Sequence, residues 1–559
     1  METPSVTSKR VDFQVDPNSY RHLRLKIDGE VATIEIDIDE DGGIKEGYEL
    51  KMNSYDLGVD IELYDITQRL RFSYPQVKVV VVTSAKEKIF CAGANIKMLA
   101  QSSHQWKVNF CKFTNETRLG IEDATTNSSQ VYIAALNGVA AGGGYELALA
   151  CDKILLVDDR SSAVSLPEIP LLGVLPGTGG LTRVVDKRFV RRDLADYFAT
   201  KPEGVGGKKA LTMKLIDELI PKATFGDDVA KYASQLASSI EKIAPSKGVE
   251  FSPLKKVIDQ DLISYDYVKI VINRALRYAE ITINLPDGIT APTSIEVAKG
   301  QGENFYLLAL VRQLDDAILE LRTNEAEIGT WVIRGKGNKD EIINFDNLIL
   351  DNRSDWFANE VLHYLKRTIK RFDVTSRSLI TLIEKDNLLS GSLFEIALSS
   401  DRIYHLIDTE DETSTPSFAL SKMNLGPLPM GNGLTRLESR FFGDVTSLEK
   451  VQEAISKDKD IDGELSLSLG LVTFAPDDID YEDEVRLCLE ERAAFNPDAL
   501  TGMEANNRFV GPETMETKIF ARLSAWQNWI FYRPNASGEE GALRRYGSGI
   551  RGNFNKERI

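Results

Sequence analysis

The chain of 559 residues contains little of what metal or disulfide chemistry requires. Its four cysteines have no paired spacing, which indicates free thiols in a reducing compartment rather than a disulfide framework. The four histidines are also far apart, and the chain has no HExxH sequence and no Cys/His cluster. We therefore expect no metal site built from protein ligands.

Long apolar runs and an excess of positive charge are also missing. No run approaches the length needed to span a bilayer, and residues 1–20 look like a polar arm. The formal net charge is −18 and the lysines and arginines are dispersed. This argues against nucleic acid or an anionic membrane as a partner. We expect a cytoplasmic protein.

Residues 133–154, IAALNGVAAGGGYELALACDKI, carry the strongest local signal. An apolar strand turns at Asn137-Gly138 and passes through three glycines into a helix that carries Glu146. Glycines allow close approach of the backbone to a partner, and a helix N-terminus presents unpaired N–H groups. A carboxylate among apolar residues is costly unless it is paired or functional. Taken alone, the stretch leaves a tight turn and a functional site equally open.

Alternating strands and helices surround this stretch and predict βα units with crossover connections. The predicted elements are a hairpin at 22–39, helices at 57–72, 103–122 and 210–220, and buried strands at 77–83 and 153–157. The segment SLPEIPLLGVLPGTGGLTR, residues 165–183, is rich in proline and glycine and predicts a shaped loop.

The second half of the chain repeats the first. Residues 382–398 align with the glycine-rich stretch, and residues 418–437 align with the loop of 165–183. The offset is 249 from Glu146 to Glu395 and 253 from Gly173 to Gly426, which favours one duplicated fold. We expect a catalytic domain at 1–250, a degenerate repeat at 251–475 and a helical tail at 476–559, with the boundary of the first two within 244–262.

The second copy has lost much of the pattern. It has no counterpart of the sequence FCAGAN, and Ser392 stands in the place of Gly143. Ser421 stands opposite Glu168. We therefore expect one site per chain, in the first copy.

Two turns of the first copy suit the stabilisation of a negative charge. Residues 92–94 and 142–144 each follow a buried strand, so one fold can bring two backbone N–H groups to a shared point. Such donors form an oxyanion hole, where loss of one donor raises the barrier by about 3 kcal/mol. Glu146 and Glu168 lie beyond the donors as general acid and base. The sequence does not assign the two roles individually.

These segments resemble the crotonase (enoyl-CoA hydratase/isomerase) superfamily. FCAGANI is similar to its first oxyanion motif, IAALNGVAAGGGYELALACD to its second, and residues 165–183 to its second-glutamate segment. The resemblance implies an α/β spiral of ββα units, here duplicated, with a helical C-terminal extension. It implies Ala92 and Gly143 as the oxyanion donors and Glu146 and Glu168 as the catalytic carboxylates. It also implies a coenzyme A thioester as the substrate, with no metal or redox cofactor.

The same resemblance implies further contacts to the substrate. The predicted contact residues are Lys51, Ala94, Asn95, Ile96, Lys97, Gly142 and Tyr145. Asn95 departs from the family, which more often has aspartate there, and we expect this to alter adenine or loop contacts rather than chemistry. Cys111, on the helix after the first motif, is a further catalytic candidate, although a lone cysteine is more often a small core residue.

The duplication and the tail at 485–535 resemble one ring-opening branch of the superfamily. That branch implies hydrolytic cleavage of 2,3-epoxybenzoyl-CoA, or of 2,3-dihydro-2,3-dihydroxybenzoyl-CoA, to 3,4-didehydroadipyl-CoA semialdehyde and formate. An enoyl-CoA hydratase with a scaffold repeat and a non-catalytic acyl-CoA-binding module are the alternatives. A β-oxidation multienzyme would need a GxGxxG turn in a βαβ unit, and the one match, at 547–552, lies in the tail. We expect a homodimer.

Overall fold

The structure, a computed structural model, describes residues 10–408, 415–457 and 459–559. The chain forms two compact units, Met1–Pro253 and Leu254–Ile559. The first nine residues of the predicted polar arm lie outside the described residues.

The first unit alternates strands and helices. Its strands are β1 (Leu23–Asp28), β2 (Val31–Ile36), β3 (Ser54–Tyr55), β4 (Val79–Ser84), β5 (Lys88–Cys91), β6 (Gly93–Ala94), β7 (Val131–Leu136), β8 (Gly138–Ala141), β9 (Lys153–Asp158), β10 (Ala163–Ser165), β11 (Val205–Gly206) and β12 (Glu218–Pro221). Its helices are α1 (Leu57–Phe72), α2 (Ile96–Gln101), α3 (His104–Ser128), α4 (Gly143–Ala150), α5 (Gly180–Thr182), α6 (Arg192–Ala199), α7 (Gly207–Thr212) and α8 (Phe225–Ser239).

Two sheets organise this unit. The main sheet has the order β1-β2-β4-β7-β9-β12, and the smaller sheet has the order β11-β10-β8-β5. In the main sheet β1 and β2 are antiparallel, and the later strands pair in parallel. The apolar runs of β4 and β7 suit parallel strands that are buried on both faces. Their side chains, such as Val79 and Ile133, pack against Ala233 and Ala237 of α8.

The predicted elements of the first unit agree with the structure except at one place. The hairpin, the helix Leu57–Phe72 and the two buried strands are confirmed, and the predicted helix at 103–122 extends to Ser128. The helix predicted at 210–220 is wrong, because α7 ends at Thr212 and Glu218–Pro221 is a strand. This strand pairs in parallel with β9, so hydrogen bonding to the edge of the sheet outweighs the local helical pattern of the sequence.

The second unit also alternates strands and helices. Its strands are β13 (Val257–Ile258), β14 (Leu262–Ser264), β15 (Val268–Asn273), β16 (Tyr278–Asn284), β17 (Thr330–Lys336), β18 (Ser378–Ile383) and β19 (Arg402–His405). Its helices are α9 (Ile295–Gln301), α10 (Tyr306–Asn324), α11 (Lys339–Asp351), α12 (Trp356–Val374), α13 (Gly391–Leu398), α14 (Arg436–Arg440), α15 (Val445–Ser456), α16 (Gly463–Ser468), α17 (Tyr481–Ala494), α18 (Pro497–Arg508), α19 (Met515–Thr517), α20 (Ser524–Tyr532), α21 (Pro534–Ser537) and α22 (Ala542–Arg545).

The second unit repeats the topology of the first. Its strands β15-β16-β17-β18-β19 have the same order as β1-β2-β4-β7-β9, and the first pair is antiparallel in both units. Helices α10, α12 and α13 take the places of α1, α3 and α4 between the strands. The duplicated α/β fold that the sequence predicts is thereby confirmed.

The helices of the C-terminal region pack against the sheet of the second unit. Tyr481, Val485 and Cys488 of α17 form one buried cluster with Val332 of β17 and Ile380 of β18. None of the helices in the described part of the chain combines the length and the apolar character needed to cross a bilayer.

Candidate active site

The N-terminus of α4 is the centre of the candidate site, and its glycines make room for groups on three sides. A Cβ added at Gly142, where φ is +54°, would lie 2.6 Å from Oε1 of Glu168. A Cβ at Gly143 would overlap the hydroxyl of Tyr55, and one at Gly144 would overlap the carbonyl oxygen of Cys91. The three consecutive glycines therefore serve close packing around a helix end, as the sequence suggests.

Gly143 supplies a backbone donor at this helix end. Its N–H lies in the first turn, where helical N–H groups have no partner within the helix. Among the described residues, no side chain or carbonyl accepts a hydrogen bond from this N–H. The positive end of the helix dipole also favours a negative charge at this point.

The prediction that Ala92 is the second oxyanion donor is wrong, because its N–H group already has a partner in the protein. Its N–H donates to the carbonyl of Met52, with 3.2 Å between N and O. The N–H of Asn95 donates to the carbonyl of Tyr55, with an N···O distance of 2.9 Å. Successive residues of a strand point their N–H groups to opposite sides, so the N–H of Ala94 points away from Tyr55.

Ala94 therefore replaces Ala92 as the candidate donor. Its neighbour Gly93 lies against the backbone of α4, and a Cβ added at Gly93 would lie 2.7 Å from the nitrogen of Gly143. Strand β6 pairs with β3, and this pairing places Ala94 opposite Tyr55. The two glycine-containing turns are thus in contact, as the sequence predicts, although the donor is two residues further along.

Glu146 is held rigidly at this helix end. Its Oε1 accepts hydrogen bonds from the N–H groups of Thr178, at 3.0 Å, and Gly180, at 2.7 Å. Its Oε2 accepts from the hydroxyl of Thr178. The side chain is 3% exposed. These donors come from the proline- and glycine-rich loop, which therefore fixes the orientation of the carboxylate.

Glu168 has a different environment. It begins a short π-helical turn, Glu168–Leu172, and its Oε2 is buried without a hydrogen-bond partner among the described residues. Burial raises the pKa of Glu168 to about 7, and the charge of Glu146 adds to this effect. At neutral pH the side chain can therefore both donate and accept a proton, as a general acid or base must.

Cys111, the third catalytic candidate, is half-buried on α3. Burial raises the pKa of its thiol to about 11, and the charges of Glu146 and Asp60 act in the same direction. The group is therefore a neutral thiol near Glu146. It can donate a hydrogen bond, but it is a poor nucleophile in this state.

Two predicted substrate contacts have structural roles instead. Tyr145 is fully buried, and its hydroxyl donates to the carbonyl of Leu215 at 2.6 Å. Asn95 caps α2, because its Oδ1 accepts from the N–H of Met98 at 2.9 Å. Its Nδ2 donates to the carbonyl of Glu49 at 2.8 Å. Both side chains are therefore used for hydrogen bonds within the protein itself.

The predicted lysines lie on the surface beside the first turn. Lys51 forms an ion pair with Glu49, with 2.5 Å between Nζ and Oε2. A hydrogen bond from Lys51 and the charges of Lys51 and Lys97 lower the pKa of Glu49. The three exposed side chains therefore lie near one another. Ile96, which precedes Lys97 in the sequence, is 57% exposed. Cations on exposed stems beside an exposed apolar side chain suit a nucleotide phosphate and base, and this contact remains a prediction.

Sequence reasoning missed Thr178 and Tyr55. Thr178 lies in the quoted motif PGTGG, so its proximity to Glu146 could have been inferred from the loop. The hydroxyl of Tyr55 is buried against Gly143 and has no hydrogen-bond partner among the described residues. Burial raises its pKa well above the ordinary value, so it stays a neutral donor. No local pattern marks this residue.

The corresponding glutamate of the second unit is neutralised by an arginine. Glu395 accepts from Nη1 of Arg436 at 3.1 Å and from Nδ2 of Asn424 at 2.7 Å. Arg436 also pairs with Asp373, with 2.6 Å between Nη2 and Oδ2. Within the described ranges, no group of three His, Cys, Asp or Glu side chains is arranged to hold a metal ion.

The geometry defines a class of protein: two candidate backbone donors in adjoining glycine-containing turns, with two carboxylates beside them, on a duplicated spiral fold. A family model described as enoyl-CoA hydratase/isomerase matches residues 49–249. The chain belongs to the enoyl-CoA hydratase/isomerase (crotonase) superfamily.

One relative matches nearly the whole chain. A benzoyl-CoA-dihydrodiol lyase of Aromatoleum evansii is 51% identical over 552 residues, which cover 98% of each sequence. A carnitinyl-CoA dehydratase of Escherichia coli O157:H7 is 28% identical over 43% of this chain and 87% of its own length. Among solved structures, an enoyl-CoA hydratase of Geobacillus kaustophilus HTA426 has 34% identity and a TM-score of 0.35 over 40% of this chain and 76% of its own.

Proposed function

We propose that the protein is a ring-cleaving lyase that acts on a coenzyme A thioester of an oxygenated, non-aromatic benzoyl ring in aerobic benzoate degradation. The observation that carries this proposal is the 51% identity to a benzoyl-CoA-dihydrodiol lyase across 98% of both sequences. The substrate is 2,3-epoxybenzoyl-CoA or its dihydrodiol form. With two waters, the epoxide gives 3,4-didehydroadipyl-CoA semialdehyde and formic acid, so that all atoms are accounted for.

The backbone donors begin the chemistry. The thioester oxygen accepts hydrogen bonds from the N–H groups of Gly143 and Ala94, which stabilise negative charge on it. The ring carbons conjugated to the thioester become electron-poor, so water can attack them. The same oxygen can later hold the charge of a thioester enolate. We expect no metal or redox cofactor in this role, because the two N–H groups supply the stabilisation of the oxyanion; coenzyme A is part of the substrate.

The two glutamates divide the proton transfers. Glu168 donates a proton to the ring oxygen that opens, because its pKa of about 7 leaves part of it protonated at neutral pH. Glu146, fixed by Thr178 and Gly180, accepts the proton of the attacking water.

The bond between the two oxygenated ring carbons then breaks. The hydroxyl on the carbon farther from the thioester loses its proton and becomes an aldehyde, and the electron pair of the broken bond passes through the conjugated diene to the carbon beside this aldehyde, which takes up a proton. The other oxygenated carbon, left as an enol, becomes a second aldehyde by a proton shift. A second water then adds to this aldehyde carbon, next to the thioester-bearing carbon. The bond between these two carbons breaks, the one-carbon unit leaves as formic acid, and the enolate takes a proton.

Formate release from synthetic 2,3-epoxybenzoyl-CoA tests this function. We expect the purified chain to release one formate per thioester consumed and to hydrate crotonyl-CoA poorly. The family model and the dehydratase relative favour a second candidate, an enoyl-CoA hydratase with a scaffold repeat. Hydration of crotonyl-CoA without formate from the epoxide would establish that candidate instead.

Substitution of the glutamates separates an enzyme from a binding module. Glu146→Gln and Glu168→Gln should each abolish formate release while thioester binding, followed by calorimetry, remains. Glu395→Gln is the matched control, because Glu395 aligns with Glu146 but is paired with Arg436 in the second unit. Full turnover in both first-unit variants would contradict the assignment.

We also propose that the protein works as a homodimer in the cytoplasm. Its described cysteines are all free thiols, as suits a reducing compartment. The C-terminal helices expose large apolar side chains, among them Phe520 at 74% and Tyr532 at 90% exposure. Such a surface suits burial against a second copy. Light scattering in solution should give twice the mass of one chain, and treatment with a chelator should leave turnover unchanged.

A further inference from the structure

Tyr55 is a buried residue of the candidate site that takes no part in the proposed proton transfers. It ends strand β3, and the pairing of β3 with β6 places it opposite the candidate donor Ala94. Tyr55 is 3% exposed. A Cβ added at Gly143 would overlap its hydroxyl, so this hydroxyl lies against the residue that carries the other donor. The phenol therefore reaches from one donor-bearing turn to the other.

Two neighbouring donors at this point have no acceptor in the protein. The hydroxyl of Tyr55 is enclosed and has no hydrogen-bond partner among the described residues. The N–H of Gly143 likewise has none within the described part of the chain. A buried hydroxyl without a partner destabilises a fold, and phenylalanine would fill almost the same space without this cost. An acceptor that arrives with a ligand would satisfy both groups.

The ring of Tyr55 is held by two residues of α3. Its centroid lies 6.0 Å from that of the Phe110 ring. The guanidinium carbon of Arg118 lies 5.3 Å from the centroid of the Tyr55 ring. Arg118 is itself fixed by the carboxylate of Asp60, with 2.6 Å between Nη1 and Oδ1. These contacts fix the position of the phenol oxygen before a ligand binds, and such preorganisation is what an oxyanion donor requires.

The phenol keeps its proton in these surroundings. Burial raises the pKa of Tyr55 well above its ordinary value. The charge of Arg118 opposes this effect, and the charges of Asp60 and Glu146 add to it. Tyr55 is therefore a neutral hydrogen-bond donor at neutral pH. Such a donor stabilises charge on a ligand oxygen without giving up its own proton.

We propose that Tyr55 is a third oxyanion donor, whose hydroxyl donates to the thioester oxygen of the substrate beside the N–H groups of Gly143 and Ala94. The inference rests on the proposed function for its ligand, a coenzyme A thioester. In the last step of that reaction the broken carbon–carbon bond leaves its electron pair in a thioester enolate. A third donor stabilises the charge on the enolate oxygen until the enolate carbon takes up a proton.

The carbonyl band of a bound thioester tests this contact without turnover. A hydrogen bond to a carbonyl oxygen weakens the C=O bond and lowers its stretching frequency. We expect the infrared band of carbonyl-13C benzoyl-CoA to move to lower frequency on binding to the wild type. Tyr55→Phe should bind this thioester and lose part of the shift. Its kcat for formate release should fall about 100-fold, with a smaller change in KM. An unchanged band in Tyr55→Phe would overturn the proposal.

Tyr306→Phe is the matched control. Tyr306 is a buried tyrosine of the second unit, and its hydroxyl donates to the carbonyl of Asn284 at 3.0 Å. This variant should unfold at a lower temperature, because it loses a hydrogen bond, and should keep the band and the kcat of the wild type. Tyr55→Phe should keep or raise the unfolding temperature, because no bond within the protein is lost. Lower stability with an unchanged band would show that Tyr55 serves packing alone.

The donor and the ring-cleaving reaction can fail separately. A band shift that depends on Tyr55, without formate from 2,3-epoxybenzoyl-CoA, would retain the donor and reject the reaction. Formate release with a band that does not depend on Tyr55 would reject the donor alone. If Tyr55→Phe does not fold, Tyr55→Met also removes the hydroxyl and is tested in the same way. Crotonyl-CoA replaces benzoyl-CoA if the latter does not bind, and binding of neither thioester would overturn both proposals.

Discussion

Glu146 and Glu168 lie at the same helix end but in different surroundings. Glu146 accepts three hydrogen bonds from the loop that contains Thr178 and Gly180. Glu168 is buried, and one of its oxygens lacks a partner among the described residues. Because the two environments differ, the two carboxyl groups suit separate proton-transfer roles.

The charge of Glu146 should be measurable through Glu168. We expect Glu146→Gln to lower the pKa of Glu168 from about 7, since the charge of Glu146 raises it. Infrared titration of the carboxyl band that disappears in Glu168→Gln would measure this. Glu395→Gln should leave the titration unchanged.

In the wild type, kcat/KM should fall as pH rises through about 7, because the proton donor is lost. An acid limb instead would assign Glu168 as the base.

Gly143 should tolerate no side chain. In Gly143→Ala the new Cβ overlaps the hydroxyl of Tyr55, so the helix end and its N–H must shift. We expect kcat/KM to fall about 100-fold or more, as for loss of one oxyanion donor. Gly120→Ala is the control, because a Cβ there meets nothing within 4 Å on α3. That variant should keep its activity and gain about 1 kcal/mol of stability. Equal loss in both variants would contradict this role of Gly143.

At the scale of elements, loops and helices hold the site together. The loop that follows β10 carries both Glu168 and the donors to Glu146. An arginine ion pair lies beside this loop in the first unit, where Arg183 pairs with Glu122. The matching arginine of the second unit, Arg436, pairs with Asp373. In each unit the arginine also donates to a loop carbonyl, that of Thr178 or of Leu428. The duplicated arginine therefore anchors the same loop in both copies.

Helices α1 and α3 are joined by a buried ion pair beneath the site. Oδ1 of Asp60 lies 2.6 Å from Nη1 of Arg118, and both side chains are 1% exposed. We expect Asp60→Ala to cost about 3–5 kcal/mol of unfolding free energy, because Arg118 is left buried and unpaired. Asp60→Leu combined with Arg118→Met should recover most of this. Denaturant titration of the full chain would measure both.

An exposed pair gives the contrast for that experiment. Arg486 and Glu490 lie on α17 with side chains 52% and 44% exposed. Arg486→Ala should leave the denaturation midpoint unchanged, because water replaces the partner. A similar loss of stability in Asp60→Ala and Arg486→Ala would show that burial does not decide the effect.

At the scale of the whole molecule, Asp346 should make stability depend on pH. Its folded pKa of about 7 lies above the ordinary value of 3.8, so its stabilising contribution is present below pH 3.8 and is lost as pH rises to about 7. Asp346→Asn removes this dependence. Relative to wild type, the variant should gain about 1.4 kcal/mol per pH unit within this window. Calorimetry at several pH values would test this, and a constant difference would contradict it.

The two units share a topology but carry one candidate site. In the first unit the N–H at the start of α4 has no partner among the described residues, whereas in the second the matching N–H is bound by Asp346. Fold duplication therefore does not duplicate function, because function depends on which groups face the helix end. The proposed division of roles places the chemistry in the first unit.

The sequence by itself determined the duplicated fold, the glycine turn before α4 and the proximity of Glu146 to Glu168. These follow from local rules: hydrophobic periodicity, glycine where a Cβ cannot fit, and motifs of fixed spacing. The tertiary structure decided the hydrogen bond that occupies the N–H of Ala92, the strand Glu218–Pro221, the burial of Tyr145 and the contact of Asp346 with the start of α13. Each depends on which distant segment satisfies a backbone or polar group, and that choice is made only when the chain has folded.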